Sequence, residues 1–131
     1  MRLRQIALVA KNIQKAKDLL CHVFDTEVLY VDPNVGQWGL ENILIAIGGE
    51  VLEVVSPTRE GTAAGRTLEK QGDGGYMIIM QHPDAQQRRD LIEKKGLAKV
   101  IHSTKGDDHV GVQYHPRGIK GRCSFLLLTY T

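Results

Sequence analysis

The sequence aligns with itself. RQIALVAKNIQKAKDLL, residues 4 to 20, lies over YMIIMQHPDAQQRRDLI, residues 76 to 92, at a constant offset of 72 (from 4 to 76). Ile6 meets Ile78, Leu8 meets Met80, Gln14 meets Gln86, Asp18 meets Asp90 and Leu19 meets Leu91, and further on Val28 and Leu29 meet Val100 and Ile101. A chain that repeats at such a spacing is two copies of one supersecondary unit, and its elements have to be assigned twice over.

Each copy opens on a short run of strand-forming residues, LRQIALV and GYMIIMQ, and passes through a polar junction, KN or HPD, suited to capping a helix. In the first helix Ile13, Ala16, Leu19, Leu20 and Val23 fall at helical spacing and Lys11, Lys15, Lys17 and Asp18 take the opposite side. The second helix has a thinner stripe, Ala85, Leu91 and Ile92. Three shorter strands follow in each copy: EVLYV, ENILIAI and EVLEVV, then AKVIHS, DHVGVQYH and RCSFLLLTY. Glycine and proline at Pro33, Gly36, Gly48, Gly49, Gly106, Pro116, Gly118 and Gly121 mark the turns between them.

The expected fold class is therefore α+β: two tandem βαβββ modules forming a curved mixed sheet around one cleft, with the helices outside. Module one spans residues 1 to 57, a bridge with a short helix around Ala63 to Lys70 spans 58 to 73, and module two spans 74 to 131. A length of 131 residues suits one domain able to bury a core without staples.

Composition narrows the function classes. With 17 basic and 15 acidic residues interspersed, the net charge is only +2, and aromatic residues make up 5%. Neither a strong electrostatic footprint nor a stacking surface for nucleic acid is present. The densest basic cluster, RGIKGR at 117 to 122, reads as a solvated turn. The apolar run in MRLRQIALVA is too short for a secretory leader or a membrane span. Cys21 and Cys123 lack metal or redox spacing and read as small buried hydrophobes. The expectation is a reduced, cytoplasmic protein whose partner is a small organic molecule, with no nucleic acid and no membrane, and compatible with a homodimer.

One stretch carries chemistry. GEVLEVVSP, residues 49 to 57, sets a single carboxylate, Glu53, into an apolar strand. A charged side chain rarely enters such a setting without a partner or a task.

The duplicated pattern resembles the vicinal oxygen chelate superfamily, the fold of glyoxalase I, bleomycin-resistance proteins and extradiol dioxygenases. GTAAGRTLEKQGDGGYMII at 61 to 79, VLEVVSP at 51 to 57 and YHPRGIKG at 114 to 121 look most like the methylmalonyl-CoA epimerases within it. The resemblance implies lyase or isomerase chemistry of the glyoxalase type, and a divalent metal held by the first and last strand of each module. Carried over residue by residue, those positions are Gln5, Glu53, Met77 and Phe125, and the offset of 72 likewise pairs 5 with 77 and 53 with 125. An amide and a carboxylate beside a thioether and a phenyl ring do not make a site for a hard divalent cation. The expected site is thus a degenerate, ligand-lined one with no cofactor: glyoxalase-like small-molecule binding without a metal. The alternative is a lyase or isomerase acting on a small carboxylate or thioester with Glu53 as base. The bland reading has Gln5 donating to Glu53 as a structural pair.

His115 is placed by the resemblance near the cleft mouth and is a second candidate acid or base. Arg66 in the bridge helix and Arg117 beside His115 are candidates for holding an anionic group of a ligand. His22, His82, His102 and His109 form no metal spacing, and His82 in HPD reads as part of a helix cap. GDGG at 72 to 75 is a turn into a strand, without a helix to cradle phosphate.

Overall fold

The structure is a computed structural model and describes residues 1–119 and 123–130. The elements follow the order β1 (Arg2–Val9), α1 (Ile13–Val23), β2 (Val28–Tyr30), β3 (Leu40–Ile47), β4 (Glu50–Pro57), α2 (Ala63–Gln71), β5 (Gly74–Gln81), α3 (Ala85–Lys94), β6 (Val100–Lys105), β7 (His109–Tyr114) and β8 (Ser124–Tyr130). Two 3-10 turns, Pro33–Trp38 and Pro116–Ile119, complete it. The βαβββ pattern occurs twice, as the repeat requires, and the class is α+β. Of the basic cluster at 117 to 122, Lys120, Gly121 and Arg122 lie outside the described residues, as do Gly121 and Arg122 in their expected turn and strand roles.

The chain divides into two compact units, Gln5–Tyr76 and Met77–Thr131 with Met1–Arg4. In the first, β1 pairs in parallel with β4, β4 with β3 antiparallel, and β3 with β2 antiparallel. In the second, β5 pairs in parallel with β8, and β8, β7 and β6 follow antiparallel. A parallel pair cannot be closed by a tight hairpin. The helix between the first strand and the rest of each module makes the return, and so must cover one face of its own sheet.

The polar junctions start the helices. Asn12 accepts a hydrogen bond from the Lys15 N–H at 3.0 Å and Asp84 accepts from the Gln87 N–H at 2.9 Å, each satisfying a donor that the first helical turn leaves open. Thr62 does the same for α2 through the Gly65 N–H, at 3.0 Å. His82 sits beside the cap, its Nδ1 accepting from the Asp84 N–H at 2.9 Å.

Alternation along the strands sorts the cores. Ile43, Ile45 and Val54 face α1, where Ile13, Ala16, Leu20 and Cys21 pack against them. Leu19 and Val23, expected on that face, are 63% and 61% exposed. The stripe is rotated so that Cys21 takes their place, since the sheet accepts a narrow set of side chains from one side of the helix. The opposite face of the same sheet carries Val9 and Val55 under Ala64 and Leu68 of α2 and the ring of Tyr76. In the second unit Ala85 and Ile92 of α3 pack on Val112, Tyr114 and Leu127.

Ile45 has no exposed surface. Replacing it by Ala is expected to destabilise the protein by about 2–5 kcal/mol, whereas Leu19→Ala is expected to change stability by less than about 0.5 kcal/mol. Urea denaturation of the two variants checks the rotated face of α1 directly.

Candidate functional site

Glu53 lies on the face of the first sheet that α1 does not cover. Its partner in the parallel pair is Ala7 and its partner in the antiparallel pair is Leu44. Gln5 and Asn42 therefore stand on the same face, each one step diagonal to it. Gln5 Nε2 donates to Glu53 Oε1 at 3.0 Å, and Asn42 Nδ2 donates to Glu53 Oε2 at 2.8 Å. Both residues are well inside the protein, Asn42 at 3% and Glu53 at 9% exposure.

The orientation of the Asn42 amide is set from behind. Its Oδ1 accepts the backbone N–H of Asp32 at 2.9 Å, so its NH2 group has to face Glu53. The Asp32 carboxylate in turn caps the 3-10 turn by accepting from the Asn34 N–H. Burial pushes the Glu53 carboxyl above its ordinary value of 4.5. The Asn42 and Gln5 hydrogen bonds oppose that shift and the charge of Asp32 adds to it. The structural pairing of Gln5 with Glu53 is thus present, but Asn42 is the closer and more deeply buried partner.

Strand arithmetic alone missed Asn42. The signal was Gly48-Gly49: read as a two-residue turn it pairs Ile47 with Glu50, hence Leu44 with Glu53 and Asn42 with Val55. Tyr76 is a second addition. It packs at the α2 end of this face, and its hydroxyl is pushed upward by burial, with Arg66 acting against the shift and Glu53 with it.

The registers correct one position. In the second unit Ile79, the repeat mate of Ala7, pairs with Leu126, and Gln113 pairs with Leu126 as Leu44 does with Glu53. The counterpart of Glu53 is therefore Leu126 and not Phe125. Phe125 pairs with Ile78 and Tyr114 and belongs to the face packed under α3. A one-residue slip along a strand moves every side chain to the other face, and a constant sequence offset cannot register that Ile79 to Leu126 is 47 residues where Ala7 to Glu53 is 46. Met77 does share its face with Leu126, and the counterpart of Asn42 is Gly111, whose missing Cβ would stand 2.7 Å from Thr104 Oγ1.

The remaining candidates stand elsewhere. His115 Nδ1 accepts the Arg117 N–H at 3.1 Å, which ties the ring to the turn at Pro116–Ile119 and leaves Arg117 exposed there. Arg66 is exposed on α2, donates through Nη1 to the Gly61 carbonyl at 3.1 Å, and lines an open groove of about 860 Å³ with Lys11, Arg59, Thr62, Leu68 and Asp73. Arg59 lies over Gly39, which holds a left-handed φ of 71° with no room for a Cβ.

The donor set does not suit a divalent metal. The four implied positions supply Gln5 and Glu53 in one module, Met77 and Leu126 in the other, and the NH2 groups of Gln5 and Asn42 both point at the Glu53 oxygens. Where a cation needs several oxygens, this carboxylate is ringed by N–H donors. Among the described residues no group of three His, Cys, Asp or Glu is placed to hold a metal ion.

No family model matches the sequence, and no curated protein does either. Solved structures do. A variant of Streptomyces coelicolor methylmalonyl-CoA epimerase in complex with 2-nitronate-propionyl-CoA superposes with a TM-score of 0.85 at 22% identity, covering 100% of this chain and 98% of that one. This chain has the methylmalonyl-CoA epimerase fold. The epimerase from Mycobacterium tuberculosis matches with a TM-score of 0.84 at 14% identity, over 99% of this chain and 88% of that one. A hypothetical protein from Bacillus halodurans matches at 0.86 and 16%, over 99% and 94%. The two-module α+β fold expected from the sequence is shared with these solved structures.

The pH dependence of stability follows from Glu53. A carboxyl whose proton affinity is higher folded than unfolded stabilises the fold while protonated, and that contribution is lost as pH rises from 4.5 through the folded value. Glu53→Gln stays neutral, and Gln5 can turn its amide to face the new NH2 group. Raising the pH from about 4 to about 8 should therefore lower the stability of the native protein relative to this variant. Paired denaturant titrations across that range measure the slope.

Proposed function

We propose that the Glu53 face of the first unit binds a small organic molecule and does so without a metal. The observation that carries this is the state of Glu53: a deeply buried carboxylate at a position implied to hold a metal, clamped by two neutral amides on an otherwise apolar face. Burying a charge without a counter-ion costs stability. A chain that keeps one there, with a dedicated amide behind it, has the form of a recognition site. The fold supports the reading, since an epimerase that shares it was solved in complex with 2-nitronate-propionyl-CoA.

A second reading is favoured by one observation, the raised proton affinity of Glu53. On that reading the protein is an isomerase or lyase, and Glu53 takes a proton from a small carboxylate or thioester near neutral pH. The two amide donors leave lone pairs on each carboxylate oxygen to receive it. His115, with Nδ1 engaged by the backbone, offers only its Nε2 to such chemistry.

For the binding reading, the purified protein is expected to carry far less than one equivalent of divalent metal, and chelation is expected to leave its melting temperature unchanged. A screen of small organic molecules by melting shift should yield ligands that bind equally well before and after chelation. A tightly held stoichiometric divalent ion would sink the proposal. For the second reading, deuterium exchange at the α-carbon of a simple acyl thioester, followed by NMR, should slow at least about 100-fold in Glu53→Gln. Binding without exchange would leave the first reading alone.

A further inference from the structure

The electrostatics of the Glu53 face select among small molecules. Each Glu53 oxygen accepts one amide N–H, whereas an ionised carboxylate has about four acceptor positions, so capacity for a further donor remains. Neither amide carries charge. Among the described residues the charge that acts on Glu53 is that of Asp32, of the same sign, while Arg66 acts on the Tyr76 hydroxyl at the α2 end. A ligand carboxylate placed against an ionised Glu53 would meet like-charge repulsion from it and from Asp32.

The surrounding surface is apolar and ends in an aromatic ring. Pairing across the sheet sets Ala7, Glu53, Leu44 and Tyr30 in one row. Tyr30 reaches that row because the ladder between β2 and β3 shifts register between Val28 and Tyr30. It is exposed, and it stands two strand spacings from Glu53, about 10 Å. Between them lies the half-buried Leu44.

We propose that Glu53 is the counter-ion for an ammonium group, and that the ligand of this site is a small organic amine whose apolar body lies over Leu44 toward the Tyr30 ring. An ammonium group brings only N–H donors, which is what the free acceptor positions of Glu53 need. It asks for no additional oxygens, unlike a divalent metal, and its adjoining carbons favour the apolar and aromatic surface. The inference rests on the reading of this face as a binding site and adds the charge of what it binds.

The test compares three probes of similar shape on the full-length protein: phenethylamine, phenethyl alcohol and phenylacetate. The amine is expected to bind at least about ten-fold more tightly than the alcohol, one charge-assisted hydrogen bond in size, with phenylacetate weakest. Glu53→Gln should erase the preference for the amine. Should that variant fail to fold, backbone amide shifts of the native protein at Tyr30, Leu44 and Glu53 on adding the amine provide the same localisation. Equal binding of amine and alcohol, preference for phenylacetate, or shifts confined to other residues would each overturn the inference. If the wider screen finds only neutral or anionic ligands, the binding site stands and its assigned charge falls; if nothing binds at all, both fall.

Discussion

The parallel pairing of the first and last strands of each module governs the rest of the molecule. Because β1 lies beside β4, and β5 beside β8, the chain must cross over within each module, and a helix is the economical way to do so. That helix covers one sheet face and buries it: Ile43, Ile45 and Val54 under α1, Val112 and Leu127 under α3. What is left is a second face in each module, free of the crossover helix, and in the first module that face holds a carboxylate.

The first-module face is organised around Glu53 by backbone geometry as much as by side chains. The Gly48-Gly49 turn fixes the pairing of β3 with β4, and that pairing brings Asn42 within 2.8 Å of Glu53. The Asp32 N–H then decides which end of the Asn42 amide faces the carboxylate. The result is a carboxylate held by two neutral amide donors, with its proton affinity raised by burial. Such a group, ringed by N–H donors, offers few oxygens to a divalent ion and keeps lone pairs free for a further donor.

Much of the fold was legible because the repeat supplied two independent views of each element. The capping residues Asn12 and Asp84, the helix over Ala63–Gln71 and the three strands after each helix all follow from local pattern. The site was legible only in part. Gln5 and Glu53 were brought together by the family resemblance, which carried both positions over, and the parallel pairing of β1 with β4 sets them one diagonal step apart. Asn42 depended on a hairpin register, and Tyr30 on a shift of register between Val28 and Tyr30, neither of which leaves a mark in hydrophobic periodicity. The face of α1 was misjudged at Leu19 and Val23 because periodicity gives a stripe but not how much of its width the sheet can receive. Phe125 was misplaced because sequence offset measures chain length, whereas faces are decided by pairing.

The net one-residue difference between the first-to-last-strand spacings of the two modules, 46 from Ala7 to Glu53 against 47 from Ile79 to Leu126, has a consequence for exchanging parts between them. A substitution in β4 and its mate at the constant sequence offset in β8 act on opposite faces of their sheets, one on the open face and one beneath a helix. Any chimaera that transplants the last strand of one module into the other has to be joined so that Glu53 and Leu126 correspond. Joined by the sequence offset instead, the donor strand would present its core residues to the open face and turn its polar one toward the helix.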